Sequence, residues 1–462
     1  MSERLLLGIT QSVCPTCRSL VPAKVLGING DVYFEKHCPE HGHDLVFIRA
    51  DVQDYIHTLR YVKPASQPLA AFGNNDLPCP AGCGFCDRHE QHLCLPIIEI
   101  TNECDMACPI CLVNAGGKTR ISVSEFSYIL DRLTEAEPQI DILNISGGEP
   151  LTHPDLLAII DNALARQEIV RVSISTNGLR LIRDTVLLSE LKARDVVISL
   201  QFDGVEDRIY QALRGRPLVR EKQLILEKLI SHDITTSLTM TAARDINENA
   251  FAPVLKLLFS TPNIVSLMVQ PLVYDGRARN IPIPEKRLTL PEILTLLESS
   301  GYAKADDFTP LPCCHPACFS LSFYLMTDDG RHTSLGKLFD ASAWLDIIAN
   351  KAVFGLDEEE HEKIKHMIYE LWSGPGAGNP ESEAVLVTVR KLLRDISAKS
   401  CGCFDSRTAF TVGEKKIKSV FVHAFQDADT FDLARVRRCC NGYPQKDGRV
   451  IPSCVMNVLK RR

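Results

Sequence analysis

The chain has 462 residues, a net charge of −7 and 45% hydrophobic residues, a composition typical of a soluble globular protein with two or three domains. The acidic balance gives no general attraction for nucleic acid, and the first five residues, which include an acid, are a poor secretory signal. In a chain without such a signal, 18 cysteines favour metal ligands in a reducing compartment over disulfides. We therefore expect a cytoplasmic protein with several metal centres.

Residues 1–63 are predicted to form a small β-rich domain around one mononuclear metal ion. The Asn-Gly turn at 29–30, before a run of strand-forming residues, indicates a hairpin. Two short knuckles supply three sulfurs and one imidazole, which suit a tetrahedral zinc or iron ion. The candidate ligands are Cys14, Cys17, Cys38 and His41, with His37 and His43 as alternative nitrogen donors.

Residues 64–95 are rich in proline, glycine and cysteine and show little periodicity, so we expect a bound cluster to order them. Four closely spaced thiolates can hold all four irons of a cubane, which makes an auxiliary [4Fe–4S] cluster the preferred interpretation. A structural zinc site is the alternative. The candidate ligands are Cys79, Cys83, Cys86 and Cys94.

Residues 96–280 alternate between predicted strands and predicted helices. Six such repeats favour an α/β fold, a partial (β/α)6 TIM-like barrel with its chemistry at the carboxyl ends of the strands. A doubly wound sheet is the alternative. The predicted strands are 97–101, 140–146, 170–175, 196–202, 235–241 and 265–271; the predicted helices are 122–136, 153–166, 185–191, 206–214, 220–231 and 248–259.

The loop after the first predicted strand of this region carries cysteines in the pattern C-x3-C-x2-C. Three thiolates can hold three irons of a [4Fe–4S] cluster, which leaves the fourth iron free to bind a substrate or cosubstrate. The predicted ligands, and the predicted catalytic centre, are Cys104, Cys108 and Cys111.

Glycines and polar side chains follow the next three predicted strands. Glycines allow a ligand to approach the backbone, and a carboxylate can pair with an ammonium group. Polar side chains at successive strand ends suit a ligand with ribose hydroxyls, although ordinary turn residues are the alternative. The candidates are Gly147, Gly148 and Glu149, then Ser175 and Asn177, then Gln201 and Asp203.

Residues 281–462 are predicted to form an α+β region that binds the substrate and a further cluster, with helices at 357–372 and 381–397. One candidate ligand set is Cys313, Cys318, Cys439 and Cys454, in which Cys314 or Cys440 can replace a neighbour. Cys401 and Cys403 are either another ligand pair or two unligated thiols. The apolar residues at 288–297 and 319–325 either line a tunnel or belong to the ordinary core.

The cysteine loop and the Ser-Gly-Gly-Glu-Pro run at 146–150 resemble the radical S-adenosylmethionine (SAM) superfamily. The resemblance implies that the open iron chelates the amino and carboxylate groups of SAM. It also implies that the reduced cluster cleaves SAM to a 5′-deoxyadenosyl radical, with a reductase, ferredoxin or flavodoxin as electron donor. The residues that it assigns to SAM are Gly147, Gly148, Glu149, Ser175, Asn177, Gln201 and Asp203. One departure is Ile110, where many members carry an aromatic residue.

The flanking cysteine blocks narrow the resemblance to the tetraether-lipid-synthase-like group, which is also called hydroxymethylpterin methyltransferase-like. It implies one or two auxiliary [4Fe–4S] clusters and one mononuclear zinc or iron. The expected reaction is functionalisation of an unactivated C–H bond, with carbon–carbon bond formation on lipid chains as the leading case. Methyl or methylene transfer to a pterin-like heterocycle is the alternative, and a multi-cluster electron carrier is the non-enzymatic one. The departure here is Asn441-Gly442 after the late cysteine pair, where the group has a histidine.

The expected partners are a small-molecule or lipid substrate and an electron donor, but not nucleic acid. A basic cluster allows peripheral contact with a membrane surface or an acidic partner, and a solvated helix face is the alternative. Its members are Arg435, Arg437 and Arg438.

Overall fold

The computed structural model describes residues 4–70, 77–113, 115–351, 362–363, 366, 380–399 and 406–461. Its N-terminal part is an antiparallel four-stranded sheet in which consecutive strands are neighbours. The predicted hairpin at 29–30 is confirmed, because these residues join the second and third strands. The elements are β1 (Arg4–Val13), β2 (Leu20–Ile28), β3 (Asp31–Cys38) and β4 (Gly42–Arg49), followed by helix α1 (Val52–Thr58).

The six predicted strands of the central region are confirmed as adjacent parallel strands of one sheet. They are β5 (Leu95–Thr101), β6 (Ile140–Gly147), β7 (Ile169–Thr176), β8 (Val197–Gln201), β9 (Thr236–Ala242) and β10 (Ile264–Pro271). The helices between them are α2 (Val123–Ala136), α3 (Leu156–Leu164), α4 (Thr185–Ala193), α5 (Asp207–Arg214), α6 (Val219–Ser231) and α7 (Phe251–Ser260). This is the expected partial (β/α)6 barrel.

The local sequence explains these elements. All of β7 except Ser175 is buried, as a parallel strand covered on both faces requires. Helix α3 buries Leu156, Ile159 and Ile160, which share one face at helical spacing. Helix α2 starts at a capping box in which Ser122 and Glu125 satisfy the free backbone N–H groups.

The last third of the described chain adds short elements around the barrel. They are α8 (Leu290–Ser299), β11 (Thr309–Pro310), β12 (Phe319–Met326), β13 (His332–Ser334), α9 (Ala341–Ile348), α10 (Pro380–Lys399), α11 (Ser406–Gly413), β14 (Ile417–His423), α12 (Leu433–Arg437), β15 (Asn441–Pro444), β16 (Val450–Pro452) and α13 (Ser453–Val455). Helix α10 confirms the prediction for 381–397, whereas the predicted helix at 357–372 lies outside the described residues. None of the helices in the described ranges has the length and apolarity needed to cross a membrane.

Two of these late strands extend the parallel sheet at both edges, which the sequence did not predict. Strand β14 pairs in parallel with β10, and β15 pairs in parallel with β5. Strand β12 then runs antiparallel to β14, so that the sheet reaches 12 strands in the described chain. The late region is therefore part of the wall of the barrel.

Candidate active site and metal centres

The N-terminal sheet carries a compact set of three sulfurs and one imidazole. The Sγ atoms of Cys14, Cys17 and Cys38 and a ring nitrogen of His41 all lie within 4.8 Å of one another. The His41 Nδ1 atom is 3.6 Å from the Cys14 sulfur and 3.5 Å from that of Cys38. Such spacings suit ligands that share one tetrahedral ion with Zn–S bonds of about 2.3 Å. In the part of the chain that the structure describes, this is the one group of such ligand atoms close enough to hold a single ion.

The loop after β5 presents its three cysteines to a single cavity. The thiols of Cys104, Cys108 and Cys111 all line it, and each is partly exposed there. Burial raises the pKa of Cys104 to about 12 and also raises the pKa of Cys108. The pKa of a thiol this high favours its protonated form until a metal takes the place of the proton. A cluster rather than a lone ion fits these sulfurs, because they are not drawn together as the N-terminal set is.

Gly147 and Gly148 bring the end of β6 against the cysteine loop. A Cβ atom on Gly147 would lie 2.1 Å from the carbonyl oxygen of Thr101, and one on Gly148 would lie 2.1 Å from that of Glu103. Gly147 also has a φ of 133°, which L side chains rarely adopt. The two glycines therefore permit close backbone packing beside the cavity that they line.

The carboxylate of Glu149 joins the ends of β6 and β7. It accepts hydrogen bonds from the Leu151 N–H at 3.0 Å, the Thr176 hydroxyl at 2.7 Å and the Asn177 N–H at 2.8 Å. Burial raises the pKa of Glu149 to about 7, against the opposing effect of these donors. The side chain thus supports the wall of the cavity as well as lining it.

Ser175, Asn177 and Gln201 also line the cavity, at the ends of β7 and β8. The Ser175 hydroxyl donates to the Asn144 side chain at 3.1 Å, and the Asn177 amide donates to Asp105 at 2.7 Å. The Oε1 atom of Gln201 is buried and accepts no hydrogen bond from the residues that the structure describes. It is an open acceptor for a ligand hydroxyl.

Asp203 lies behind the cavity wall rather than in it. Its side chain is fully buried, and its two oxygens accept from Arg214 at 2.7 and 2.8 Å and from the Thr241 N–H at 3.0 Å. The guanidinium of Arg214 lines the cavity, and its charge lowers the pKa of Cys108 against the larger, opposite effect of burial. Asp203 therefore holds Arg214 in place, and the cation, not the carboxylate, faces the ligand space.

The cavity measures about 570 Å³ and changes character along its length. Hydroxyl and amide side chains from β6 to β10 surround the part that runs through the barrel. The remainder is apolar and is built from late elements of the chain. One face of β12 contributes Phe319, Leu321, Phe323 and Leu325, and α10 contributes Val389, Leu392 and Leu393. Of the apolar residues considered for a tunnel, those of β12 line this space.

Cys94 lies with late cysteines rather than with Cys79, Cys83 and Cys86, which corrects the sequence-based grouping. Interaction with the side chains of Cys313 and Cys440 raises the pKa of Cys94, and interaction with those of Cys314 and Cys94 lowers the pKa of Cys440, so these four side chains lie close together. The pairing of β15 with β5 causes this, since the Cys94 N–H donates to the Cys440 carbonyl at 2.9 Å. Cys94 and Cys440 also line the cavity.

The predicted ligand set of Cys313, Cys318, Cys439 and Cys454 is also divided by the pairing of β15 with β5. Cys313 interacts with Cys94. After burial, the charges of Cys454, Cys440 and Cys318 raise the pKa of Cys439, the charge of Cys318 raises that of Cys454, and the charge of Cys440 raises that of Cys318. Burial is the largest cause of the raised pKa of each of these three thiols. Arg435 donates to the Cys318 sulfur at 3.1 Å.

The remaining upstream cysteines form their own group. Burial and then the charges of Cys79 and Cys86 raise the pKa of Cys83, and burial and then the charge of Cys86 raise the pKa of Cys79. The pair Cys401 and Cys403 lies outside the described residues.

The basic cluster of α12 is not the free surface that was considered. Arg435 is directed to Cys318 and to the Ala424 carbonyl, and Arg438 donates to the carbonyls of Pro312 and Cys313. Arg437 alone of the three is exposed.

Sequence reasoning missed Arg214 and His423 in the cavity wall. Arg214 is the last residue of α5, before the helix-ending Gly215, and this position had no signal beyond its closeness to Asp203. His423 ends β14 between the rings of Phe319 and Phe425, at centroid distances of 4.3 and 3.9 Å. Burial lowers the pKa of His423 to about 3, so its imidazole is neutral.

Comparison with known proteins agrees with this arrangement. Residues 98–258 match the radical SAM superfamily, and residues 6–49 match the HMPTM N-terminal zinc ribbon domain. The chain is 26% identical to 7,8-dihydro-6-hydroxymethylpterin dimethyltransferase of Methanocaldococcus jannaschii, over 98% of this chain and 94% of that protein. It is 33% identical to the mycofactocin maturase MftC of Mycobacterium tuberculosis, over 28% of this chain and 33% of that protein.

Among solved structures, the chain is similar to Streptococcus suis SuiB bound to precursor peptide SuiA. The TM-score is 0.39 and the identity 15%, over 46% of each chain. The matched radical SAM domain implies a [4Fe–4S] cluster and SAM as cofactors. The chain therefore carries a radical SAM domain at residues 98–258 and is a radical SAM enzyme.

Proposed function

We propose that Cys104, Cys108 and Cys111 hold the [4Fe–4S] cluster and that SAM occupies the polar part of the adjoining cavity. When bound and reduced, the cluster supplies the electron that splits SAM into methionine and a 5′-deoxyadenosyl radical. The observation that carries this proposal is the convergence of the three sulfurs and the ends of β6, β7 and β8 on one cavity.

The residues of the cavity suit the parts of SAM. The Arg214 guanidinium beside Cys108 suits a carboxylate. Its Nε and Nη2 groups donate to Asp203 and Thr241, so the Nη1 group is the one that would bind the ligand, through a charge-assisted hydrogen bond. The open Gln201 Oε1 atom suits a ribose hydroxyl as donor. Asn177 lies at the same end of the barrel, and the backbone at Gly147 and Gly148 leaves room for the ligand.

The other cysteines fit further metal centres. We assign one auxiliary [4Fe–4S] cluster to Cys94, Cys313, Cys314 and Cys440, which are buried and whose side chains shift one another's pKa values. The two remaining cysteine groups are candidates for further iron ligands. The N-terminal set fits one zinc or iron ion, and its role is to hold the ribbon together.

The substrate that we favour is a pterin-like heterocycle that receives a methyl or methylene group. The Methanocaldococcus jannaschii relative, a 7,8-dihydro-6-hydroxymethylpterin dimethyltransferase, matches nearly the whole chain, including the ribbon. The aromatic rings of Phe319 and Phe425 can stack on a flat ring, and the neutral His423 between them can share a hydrogen bond with it.

A hydrocarbon chain is the second candidate, and the apolar part of the cavity favours it. The side chains of β12 and α10 that line this space offer few hydrogen-bonding groups. Carbon–carbon bond formation on lipid chains would use this part of the cavity, with the reacting carbon near the cysteine loop.

Anaerobic turnover tests the first step. Reconstituted protein reduced with dithionite is expected to convert SAM to 5′-deoxyadenosine and methionine, as measured by chromatography. Cys104→Ala should abolish this, because it removes one of three cluster ligands. Lys118→Ala, a change at an exposed residue that follows the same loop, should keep it. SAM cleavage that survives in Cys104→Ala would reject the assignment.

Deuterium transfer distinguishes the two substrates. A deuterated pterin and a deuterated long-chain lipid are each incubated with protein, reductant and SAM. Deuterium that moves from the pterin into 5′-deoxyadenosine, or that is retained in a methylated pterin product, would support heterocycle alkylation. Deuterium from the lipid alone would overturn it in favour of the hydrocarbon reaction.

A further inference from the structure

The N-terminal metal knuckle contains an arginine that points away from the metal site. The backbone N–H of Arg18 donates to the Cys14 carbonyl at 2.9 Å, and the Cys14 N–H donates to the Ser19 carbonyl at 2.9 Å. Arg18 has a φ of 62°, in the left-handed region that closes tight turns. The turn between the metal ligands therefore fixes the direction in which this side chain leaves the ribbon.

The side chain of Arg18 crosses to the barrel and meets a buried carboxylate. Its Nη1 and Nη2 atoms lie 3.2 and 3.4 Å from the two carboxylate oxygens of Asp275. Asp275 is fully buried and Arg18 is 11% exposed, so solvent screens this ion pair only weakly. Arg279 and the Gly276 N–H also donate to Asp275.

The residues after Asp275 hold the cysteine loop by its backbone. Gly276 packs so closely that a Cβ atom there would lie 2.5 Å from the Cys111 carbonyl oxygen. The Arg277 N–H donates to the same oxygen at 3.0 Å, and its guanidinium donates to the carbonyls of Cys108 and Ala115. Three carbonyl groups of the loop thus accept from Arg277, while Gly276 lets the two backbones pack closely.

We propose that the N-terminal metal site positions the SAM-binding cluster loop through Arg18 and Asp275. This rests on the proposed function of Cys104, Cys108 and Cys111. The metal fixes the knuckle, the knuckle directs Arg18, and Arg18 neutralises Asp275, so that residues 276–277 keep the loop in register. Arg18 and Asp275 are positioning residues, since their side chains contact neither the cysteine thiols nor the cavity.

Other contacts between ribbon and barrel supply a matched control. Lys286 forms an ion pair with Asp31 at 2.5 Å, and it joins the same two parts of the chain away from the cysteine loop. Lys286 is 54% exposed against 11% for Arg18, so the melting midpoint of each variant shows how much attachment its ion pair contributes. If Arg18 positions the loop, its replacement weakens SAM binding, whereas replacement of Lys286 does not.

The test compares Arg18→Gln and Lys286→Gln with wild type as anaerobic, fully reconstituted proteins. The readouts are bound metals, the melting midpoint, and the SAM dissociation constant from the change that SAM causes in the EPR spectrum of the reduced cluster. Arg18→Gln should retain its mononuclear metal and weaken SAM binding about tenfold, in the range of energetic coupling between sites. Lys286→Gln should bind SAM as wild type does. Arg18→Lys keeps the positive charge but loses the paired N–H groups of the guanidinium. Its SAM affinity should lie between those of wild type and Arg18→Gln.

Removal of the metal tests whether the metal site and Arg18 act on the same path. Cys17→Ser is expected to lose the mononuclear ion and to weaken SAM binding to the same extent as Arg18→Gln. The double variant should be no worse than either, because both changes act on one path. Unchanged SAM affinity in Arg18→Gln, equal loss in Lys286→Gln, or additive losses in the double variant would each overturn the proposal. A wild-type spectrum that SAM leaves unchanged would instead reject the proposed function, and this inference with it.

Discussion

The pair of Asp203 and Arg214 shows how a residue can serve a ligand without facing it. Sequence position suggested the carboxylate, because it follows a strand end. In the structure both of its oxygens are occupied, and its partner Arg214 reaches the cavity. The motif therefore leads to this part of the cavity, and the structure shows that Arg214 rather than Asp203 lines it. Only the fold reveals which end of a buried ion pair meets the ligand.

Asp203→Asn should weaken SAM binding. The change removes the charge that orients Arg214, and hydrogen bonds to charged groups contribute about 1.5–3 kcal/mol. A rise of about tenfold or more in the SAM dissociation constant is expected, measured by anaerobic titration of reconstituted protein. Arg216→Gln, at an exposed arginine paired with Glu221, should have no effect. Equal affinities of Asp203→Asn and wild type would show that Arg214 keeps its place unaided.

At the scale of elements, local periodicity predicted the six barrel strands to within two residues at either end. Each has its partner nearby in the chain, and each alternates with a helix whose apolar face is evident. The placement of β14 was beyond such reasoning, because a short strand carries no sign of a partner about 150 residues earlier in the chain. The same limit hid the meeting of Cys94 with Cys440, which depends on β15.

Strand β14 is secured to the barrel by a buried lysine. The ammonium group of Lys418 donates to the carbonyls of Thr261 and Pro262, each at 2.9 Å, and to that of Ile264 at 2.5 Å. Burial lowers the pKa of Lys418 to about 7, against 10.5 for an unperturbed lysine. Between these two pH values the unfolded chain binds more protons at this residue than the folded chain. Its contribution to stability therefore increases as the pH rises from about 7 to 10.5.

Lys418→Met should abolish this pH dependence. Between pH 7 and pH 9 the free energy of unfolding of wild type is expected to rise relative to that of the variant, by up to about 1.4 kcal/mol per pH unit. The melting midpoint of wild type should rise relative to that of the variant accordingly. Scanning calorimetry at the two pH values measures this difference. Lys416→Met, at an exposed lysine paired with Asp328, should show no such trend. A stability of wild type relative to Lys418→Met that decreases from pH 7 to pH 9 would contradict the assigned pKa.

For the whole molecule, the proposed metal centres connect parts of the chain that are distant in sequence. The sequence predicts candidate ligands, because cysteine spacing is local. It did not reveal how the auxiliary groups divide, because that depends on which strands become neighbours. The ribbon ligands were recognised as a set because both knuckles lie within residues 14–41.

Iron counting should reveal the division. Cys94→Ala and Cys440→Ala are each expected to lose about four irons per chain, and the double variant should lose no more, because both residues hold one cubane. Cys86→Ala should leave that cluster in place. Iron and sulfide assays on anaerobic protein, with Mössbauer spectra, measure this. If Cys94→Ala and Cys86→Ala remove the same cluster, the grouping by sequence spacing was right after all.

The pairing of β15 with β5 has a consequence for biogenesis. During translation the first of the four assigned ligands, Cys94, is made more than 300 residues before the last, Cys440, which the pairing of β15 with β5 brings beside it. Iron delivered to a nascent chain would meet Cys94 without its partners. With the proposed assignment, the cluster can be completed only after Cys440 has been made, and cells that make the protein faster than they can assemble cofactors should accumulate it with the cavity wall incomplete.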